Sequence, residues 1–181
     1  MLAGLAGRAV APADWHVTLC FLGALPPEPL EALQASAGQI DASAFALSFG
    51  HLEYWREARV LAATAAWVPQ PARALADALR ALACSVGITP DPRALRPHVT
   101  LMRAVPAQAW RDFGARAGHA GAVGPVDMDR AVAGRAAMGQ DVLGGLTLQA
   151  REFRLAETRE PSGRPAVPLR YRTLVRWPLR P

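Results

Sequence analysis

The sequence predicts an α+β fold built from two similar halves, and three observations carry that reading. Short β-like runs of alternating polarity are interspersed with stretches that keep a helical period. Hydrophobic residues make up 51% of the 181, enough for a full core in one domain or one two-lobed domain. A four-residue string containing a scarce histidine, His16-Val17-Thr18-Leu19, recurs as His98-Val99-Thr100-Leu101. With only four histidines in the chain, that repetition suggests two half-domains around a pseudo-two-fold axis.

The elements follow in order. Residues 14–22 read as a strand, with Val17, Leu19 and Phe21 on a core face and His16, Thr18 and Cys20 on the other. Trp15 points with the core face. Gly23 and Pro26-Pro27 end the run, and residues 27–39 read as a helix with Leu30, Leu33 and Ala37 inward. Residues 44–54 and 58–67 are β-like, joined by a hairpin connection over 53–59. Leu75, Leu79, Leu82 and Val86 mark the clearest helix, 71–86, with Gly87 as its C′ residue. Residues 97–103 form a second short strand, and 106–116 read as helical. From 117 to 145 the periodicity lapses, which predicts a long loop with one turn-rich piece at 127–138. Two further β-like runs, 146–157 and 167–177, are joined by a hairpin at 160–165. Leu2–Val10 are expected as the tail of a helix.

Composition and charge exclude several classes. Aromatic residues at 7% and charged residues at 19% are values of a globular chain rather than a disordered one. The net charge of +5 comes from basic residues that are all Arg, and guanidinium forks favour an anionic partner. It is too small and dispersed for a duplex-coating protein. No apolar run approaches the ~18 residues of a membrane span, and Met1–Val10 has no signal-peptide pattern. Cys20 and Cys84 make no disulfide framework, so a reducing cytoplasm is expected. His16, His51, His98 and His119 lack zinc-site spacing, so a mechanism without metal or cofactor is expected.

The repeat carries the chemistry. On a strand, His and Thr two residues apart face the same way while Val and Leu face the core. If both copies line one groove, two imidazoles and two hydroxyls converge there. Imidazoles with pKa values near ~6.5 can hold opposite protonation states near neutrality. One can take a proton from water while the other gives one to a leaving oxygen. The hydroxyls can donate to phosphate oxygens between them. That arrangement suits in-line displacement at phosphorus, and each proton-transfer group contributes ~10²–10⁴ in rate.

The paired strings resemble the 2H phosphoesterase superfamily. Within it the context is similar to the RNA 2′,3′-cyclic phosphodiesterases, also called 2′-5′ RNA ligases. Trp15-His16-Val17-Thr18-Leu19-Cys20-Phe21-Leu22-Gly23, Arg96-Pro97-His98-Val99-Thr100-Leu101-Met102-Arg103, residues 153–159 and residues 171–179 carry the likeness, which covers most of 12–104 and 147–179. The resemblance implies a single bilobal domain over 1–181, α+β, with two antiparallel sheets flanked by helices, a central cleft and an irregular insertion at about 105–145. It implies hydrolysis of RNA 2′,3′-cyclic phosphate ends to a 2′-phosphate, with weak reversible 2′-5′ ligation. By the same resemblance His16 is the acid for the departing 3′ oxygen, His98 is the base for water, and Thr18 and Thr100 bind phosphate. Arg103 matches a phosphate-associated Arg. It lies five positions from His98, so it reaches the same face only if the strand ends or bulges near Met102.

Other residues invite a role. Trp55, beside Tyr54, could stack on a nucleobase or pack on the sheet. His51 reads as an ordinary strand residue and His119 as exposed. Cys20 lacks a base partner for nucleophilic work. Arg151, Arg154, Arg159, Arg170, Arg172 and Arg176 form either a solvated charged face or a face for RNA. Two other functions stay open: a small-molecule cyclic phosphodiesterase acting on ADP-ribose or nucleotide cyclic phosphates, and an inactive module that binds RNA ends. Oligomeric state is not legible in the sequence.

Overall fold

A computed structural model describes residues 2, 4–116, 146–158 and 171–181. The expected loop at 117–145 with His119, the joint at 160–165, Arg159 and Arg170 lie outside them. The chain is α+β, with strands β1 (Arg8–Ala9), β2 (Phe45–Trp55), β3 (Val60–Ala65), β4 (His98–Arg103), β5 (Leu146–Ala150), β6 (Glu152–Thr158) and β7 (Tyr171–Pro178); β1 with β4, β2 with β3, β3 with β4 and β6 with β7 pair antiparallel. Among the described residues three α-helices accompany them: α1 (Pro27–Ala37), α2 (Gln70–Ser85) and α3 (Ala107–Arg116). The chain divides into two compact units. One holds residues 1–16, 49–66 and 98–146; the other holds 17–48, 67–97 and 147–181.

In the first unit the strands hydrogen-bond in the order β1-β4-β3-β2. β3 is central and buried from Val60 to Thr64. Apart from Leu61 it is built of β-branched and small residues, which fit a strand covered on both faces. On one face Leu52 and Tyr54 pair across β3 with Ala63 and Leu61, which in turn pair with Val99 and Met102. That face meets α3: the Tyr54 ring stacks on Trp110, centroids 5.8 Å apart, and its hydroxyl donates to the Val105 carbonyl at 2.9 Å. The other face carries the candidate site. The connection from β2 to β3 turns at residues 56–59, with Arg59 at a φ of 52°.

Two expectations about the N-terminal part are corrected here. Leu2–Val10 is not the tail of a helix: Arg8 and Ala9 form an edge strand in register with Arg103 and Met102, and Val10 N–H donates to the Leu101 carbonyl. Residues 14–22 are not a strand. Pro12 has no N–H to continue the ladder, so the chain leaves β4 there in a 3-10 turn over Pro12–Asp14. Residues 15–22 make no strand pairing among the described residues, and Phe21 is 62% exposed. Trp15 is likewise 39% exposed rather than in the core, its indole donating to the Val10 carbonyl.

In the second unit α1 and α2 share a core of Leu33, Ala83 and Ile88, against which Leu22, Leu25, Val86 and Leu155 pack. The end of α2 follows from Gly87. At a φ of 80° it turns the chain back, so that Gly87 N–H reaches Cys84 O and Ile88 N–H reaches Ala83 O. Ile88 is thereby delivered into the core. The expected run 146–157 is two strands rather than one. Arg151 breaks it: β5 lies beside β2, while β6 pairs with β7 in its own two-stranded sheet. Phe153 and Trp177 stack across that hairpin with centroids 5.1 Å apart. Among the described residues no helix is long and apolar enough to cross a membrane.

Candidate active site

His98 opens β4, and its register assigns the face it occupies. Thr64 of β3 lies opposite His98 on one side and opposite His51 of β2 on the other. One pair further on, Ala62 lies between Thr100 and Glu53; beyond that, Val60 faces Trp55. With a period of two, His51, Glu53, Trp55, Thr64, His98 and Thr100 share one sheet face. The methyl of Ala62 keeps the floor low between Glu53 and Thr100.

Arg103 joins this face through a bulge. Leu61 pairs with Met102 and Ala62 with Thr100, so Leu101 is an extra residue in β4. Leu101 and Met102 are both buried, at 6% and 5% exposure. After that doubled inward step Arg103 falls on the side of His98 and Thr100. This is the condition that strand parity demanded. Arg103 Nε is buried with no hydrogen-bond partner among the described residues, and Arg8 lies directly opposite on β1. Two like charges in cross-strand register repel, so the pair is suited to an anion between or beside them.

His16 belongs to the same unit as His98. β1 runs antiparallel to β4 with Val10 bonded to Leu101, so the chain leaves β1 toward the end of β4 where His98 begins. The turn at residues 12–14 then holds the first imidazole. His16 Nδ1 is 2.7 Å from the Asp14 carbonyl oxygen, which can only accept, so Nδ1 carries the hydrogen. In the neutral ring Nε2 is then the nitrogen that carries no hydrogen. Thr18 lies in the other unit and is exposed.

Around His98 the structure adds residues that sequence reading missed. The Trp55 ring meets the His98 ring at 66°, centroids 4.6 Å apart. Trp55 Nε1 donates to Glu53 Oε2 at 3.1 Å, and the Thr64 hydroxyl, 3% exposed as a residue, donates to Glu53 Oε1 at 2.8 Å. Glu53 and Thr64 were findable. Glu53 and Trp55 alternate on one strand, and a buried Thr in an otherwise apolar strand needs an acceptor.

The remaining candidates lie elsewhere. Cys20 is half-buried in the second unit; burial raises its thiol pKa, the Arg80 charge opposes this, and Cys84 and Asp91 add to the rise. Arg154, Arg172 and Arg176 are drawn to carboxylates of their own hairpin, Glu152, Glu157 and Glu152 in turn. Among the described residues no three His, Cys, Asp or Glu gather as a metal site.

Residues 1–62 match the family of LigT-like phosphoesterases. A curated relative, the RNA 2′,3′-cyclic phosphodiesterase of Escherichia coli (strain K12), is 36% identical over 98 residues, or 54% of this chain and 56% of that protein. The chain thus spans about half the length of the relative it matches. The crystal structure of E. coli LigT complexed with 3′-AMP superposes with a TM-score of 0.68 at 27% identity, covering 96% of this chain and 82% of that one. A crystal structure described as a phosphoesterase gives 0.69 at 27%, covering 97% and 83%. The E. coli LigT complex with phosphate gives 0.64 at 26%, covering 97% and 81%.

Proposed function

We propose that this chain is a LigT-like phosphoesterase that hydrolyses ribonucleoside 2′,3′-cyclic phosphates to 2′-phosphates by paired-histidine acid–base catalysis. The observation that carries the reading is the alignment of His98, Thr100 and, through the Leu101 bulge, Arg103 on one sheet face. A base, a hydroxyl donor and a guanidinium in one row are what a phosphodiester needs from one side. The E. coli relative, named an RNA 2′,3′-cyclic phosphodiesterase, and the E. coli LigT complex with 3′-AMP support the substrate class.

In this reading neutral His98 takes a proton from water, whose oxygen attacks phosphorus. The P–O3′ bond breaks in line, and the imidazolium of His16 gives its Nε2 proton to the departing 3′ oxygen. His16 keeps its ring orientation through Nδ1–H on the Asp14 carbonyl. Thr100 donates to a non-bridging oxygen, and Arg103 neutralises the charge that develops there. Trp55, half-buried on the same face as His98, offers an indole for the nucleobase. A 5′-hydroxyl in place of water would join two RNA ends by a 2′-5′ bond with the same residues. No step calls for a metal or cofactor, and the chain acts on soluble RNA ends or nucleotides in the cytoplasm.

The test is hydrolysis of adenosine 2′,3′-cyclic phosphate and of an oligonucleotide with the same end, in EDTA, with products resolved chromatographically. The reading requires the 2′-phosphate and persistence with chelator. Release of the 3′-phosphate, or loss of turnover in EDTA, would overturn it. A strong preference for the mononucleotide would assign a small-molecule substrate, and binding without turnover an RNA-end module.

A further inference from the structure

We infer that Glu53 is a positioning residue for His98, acting through the Trp55 ring. The inference rests on the catalytic role proposed for His98 above. Three contacts on one sheet face carry it. Glu53 spends one carboxylate oxygen on Trp55 Nε1 and the other on the Thr64 hydroxyl. Thr64 is in register with His98 on the neighbouring strand, so the carboxylate is referenced to the backbone beside the imidazole. The indole that Glu53 holds meets the His98 ring at a centroid distance of 4.6 Å and an angle of 66°, an edge-to-face contact that restricts ring rotation.

The arrangement answers a specific need. A histidine at the first position of a strand has fewer neighbours on its own strand to fix its χ angles than one in the middle. An imidazole that must align one nitrogen with water needs its ring plane fixed from outside. A tryptophan alone would swing about its own χ2. Anchoring Nε1 to a carboxylate removes that freedom, and anchoring the carboxylate to Thr64 removes the carboxylate's. Thr64 at 3% exposure and Trp55 half-buried place the chain of contacts away from bulk water, where such bonds hold geometry best.

The test uses three full-length variants and two readouts. Glu53→Ala deletes both anchors. Glu53→Gln keeps the shape and can accept from Trp55 Nε1 with its carbonyl oxygen while its amide donates to the Thr64 hydroxyl. Trp55→Ala deletes the wall. The first readout is the ¹H–¹³C spectrum of the His98 ring, whose Hε1 and Hδ2 shifts carry the ring current of Trp55. The second is kcat and KM for adenosine 2′,3′-cyclic phosphate. Glu53→Ala and Trp55→Ala should both erase the ring-current shift, whereas Glu53→Gln should retain it. Misplacement of a catalytic group by a remote change can cost ~10²-fold, so kcat in Glu53→Ala should fall by about that factor with KM within about twofold, and Glu53→Gln should recover most of it. A His98 spectrum unchanged in Glu53→Ala would overturn the inference. So would an equal loss of kcat in Glu53→Gln and Glu53→Ala, which would make the charge, not the anchoring, what matters. The spectrum is read without turnover, so an inactive wild-type protein would refute the proposed hydrolysis while the ring-current result still decides the role of Glu53.

Discussion

Leu101 and Met102 are adjacent in sequence and both point into the core, and this doubled step is what turns Arg103 onto the face of His98. An unbroken alternation would aim the guanidinium at α3 and the hydrophobic side of the sheet. The bulge therefore works as a device for re-aiming one side chain next to a site.

Arg103 should act on binding more than on proton transfer. Its buried Nε has no hydrogen-bond partner among the described residues, so a phosphate oxygen suits it as an acceptor. A hydrogen bond to a charged group contributes about 1.5–3 kcal/mol, which corresponds to roughly 10- to 100-fold in affinity. Arg103→Ala should raise KM for a cyclic phosphate by about that factor. Arg103→Lys, which lacks the fork, should recover only part of it. Titration of the 2′-phosphate product against each variant checks the direction independently of turnover.

His16 and His98 should each be indispensable, and their losses should not multiply. Removing either leaves a step without its proton donor or acceptor, so His16→Ala and His98→Ala should each lower kcat by about 10²–10⁴. The double variant should be little worse than the poorer single one, because the two act as a unit. Single-turnover hydrolysis by the three variants is the measurement. A double variant that loses the product of both factors would show independent roles.

How much of this was legible in the sequence depended on whether the signal was local. The period of Leu75, Leu79 and Leu82 and the stop at Gly87 gave α2 nearly to the residue, because helix period and C′ glycine are properties of the segment itself. His98 and Thr100 were placed on a strand for the same reason. The strand expected around His16 failed because a β ladder needs a partner. Alternation over 14–22 says nothing about whether one is available, and Pro12 diverts the chain just before it. The edge strand Arg8–Ala9 is two residues long, too short to show any period. Glu53 went unnoticed because its meaning comes from Thr64 and Trp55, one of them on another strand.

The edge strand depends on Gly7. Its φ of 143° lies where side chains are rarely accommodated, and a Cβ there would stand 3.0 Å from Val105 Cγ2 and 3.2 Å from the Arg103 carbonyl oxygen. Gly7→Ala adds backbone strain to a close contact, and effects of this type cost of order 1–3 kcal/mol. Urea unfolding should show an unfolding free energy lower by that amount, and hence a lower midpoint. Since β1 leads directly to the His16 turn, kcat should fall as well. A Gly7→Ala protein with wild-type stability and kcat would mean that β1 has no part in holding His16.

Cys20 and Cys84 offer a last check, on the second unit. Burial raises the Cys20 thiol above its ordinary value of 9.0, with Arg80 pulling the other way and Cys84 and Asp91 pushing up. The thiolate is the nucleophile, so at pH 8 iodoacetamide should label exposed Cys84 well before half-buried Cys20. In urea the two should react alike. The same shift sets a sign for stability. A group whose folded pKa is raised favours folding below its unfolded value, and that contribution is lost as pH rises through the folded one. Unfolding free energy should therefore decline above about pH 9 in the wild type, and less so in Cys20→Ser. Neutralising Arg80 as Arg80→Gln should slow Cys20 labelling further, because the one charge that favours the thiolate is gone. Faster labelling in that variant would instead mean that Arg80, whose guanidinium donates to the Pro92 and Arg93 carbonyls, chiefly shields Cys20 by holding that loop closed over it.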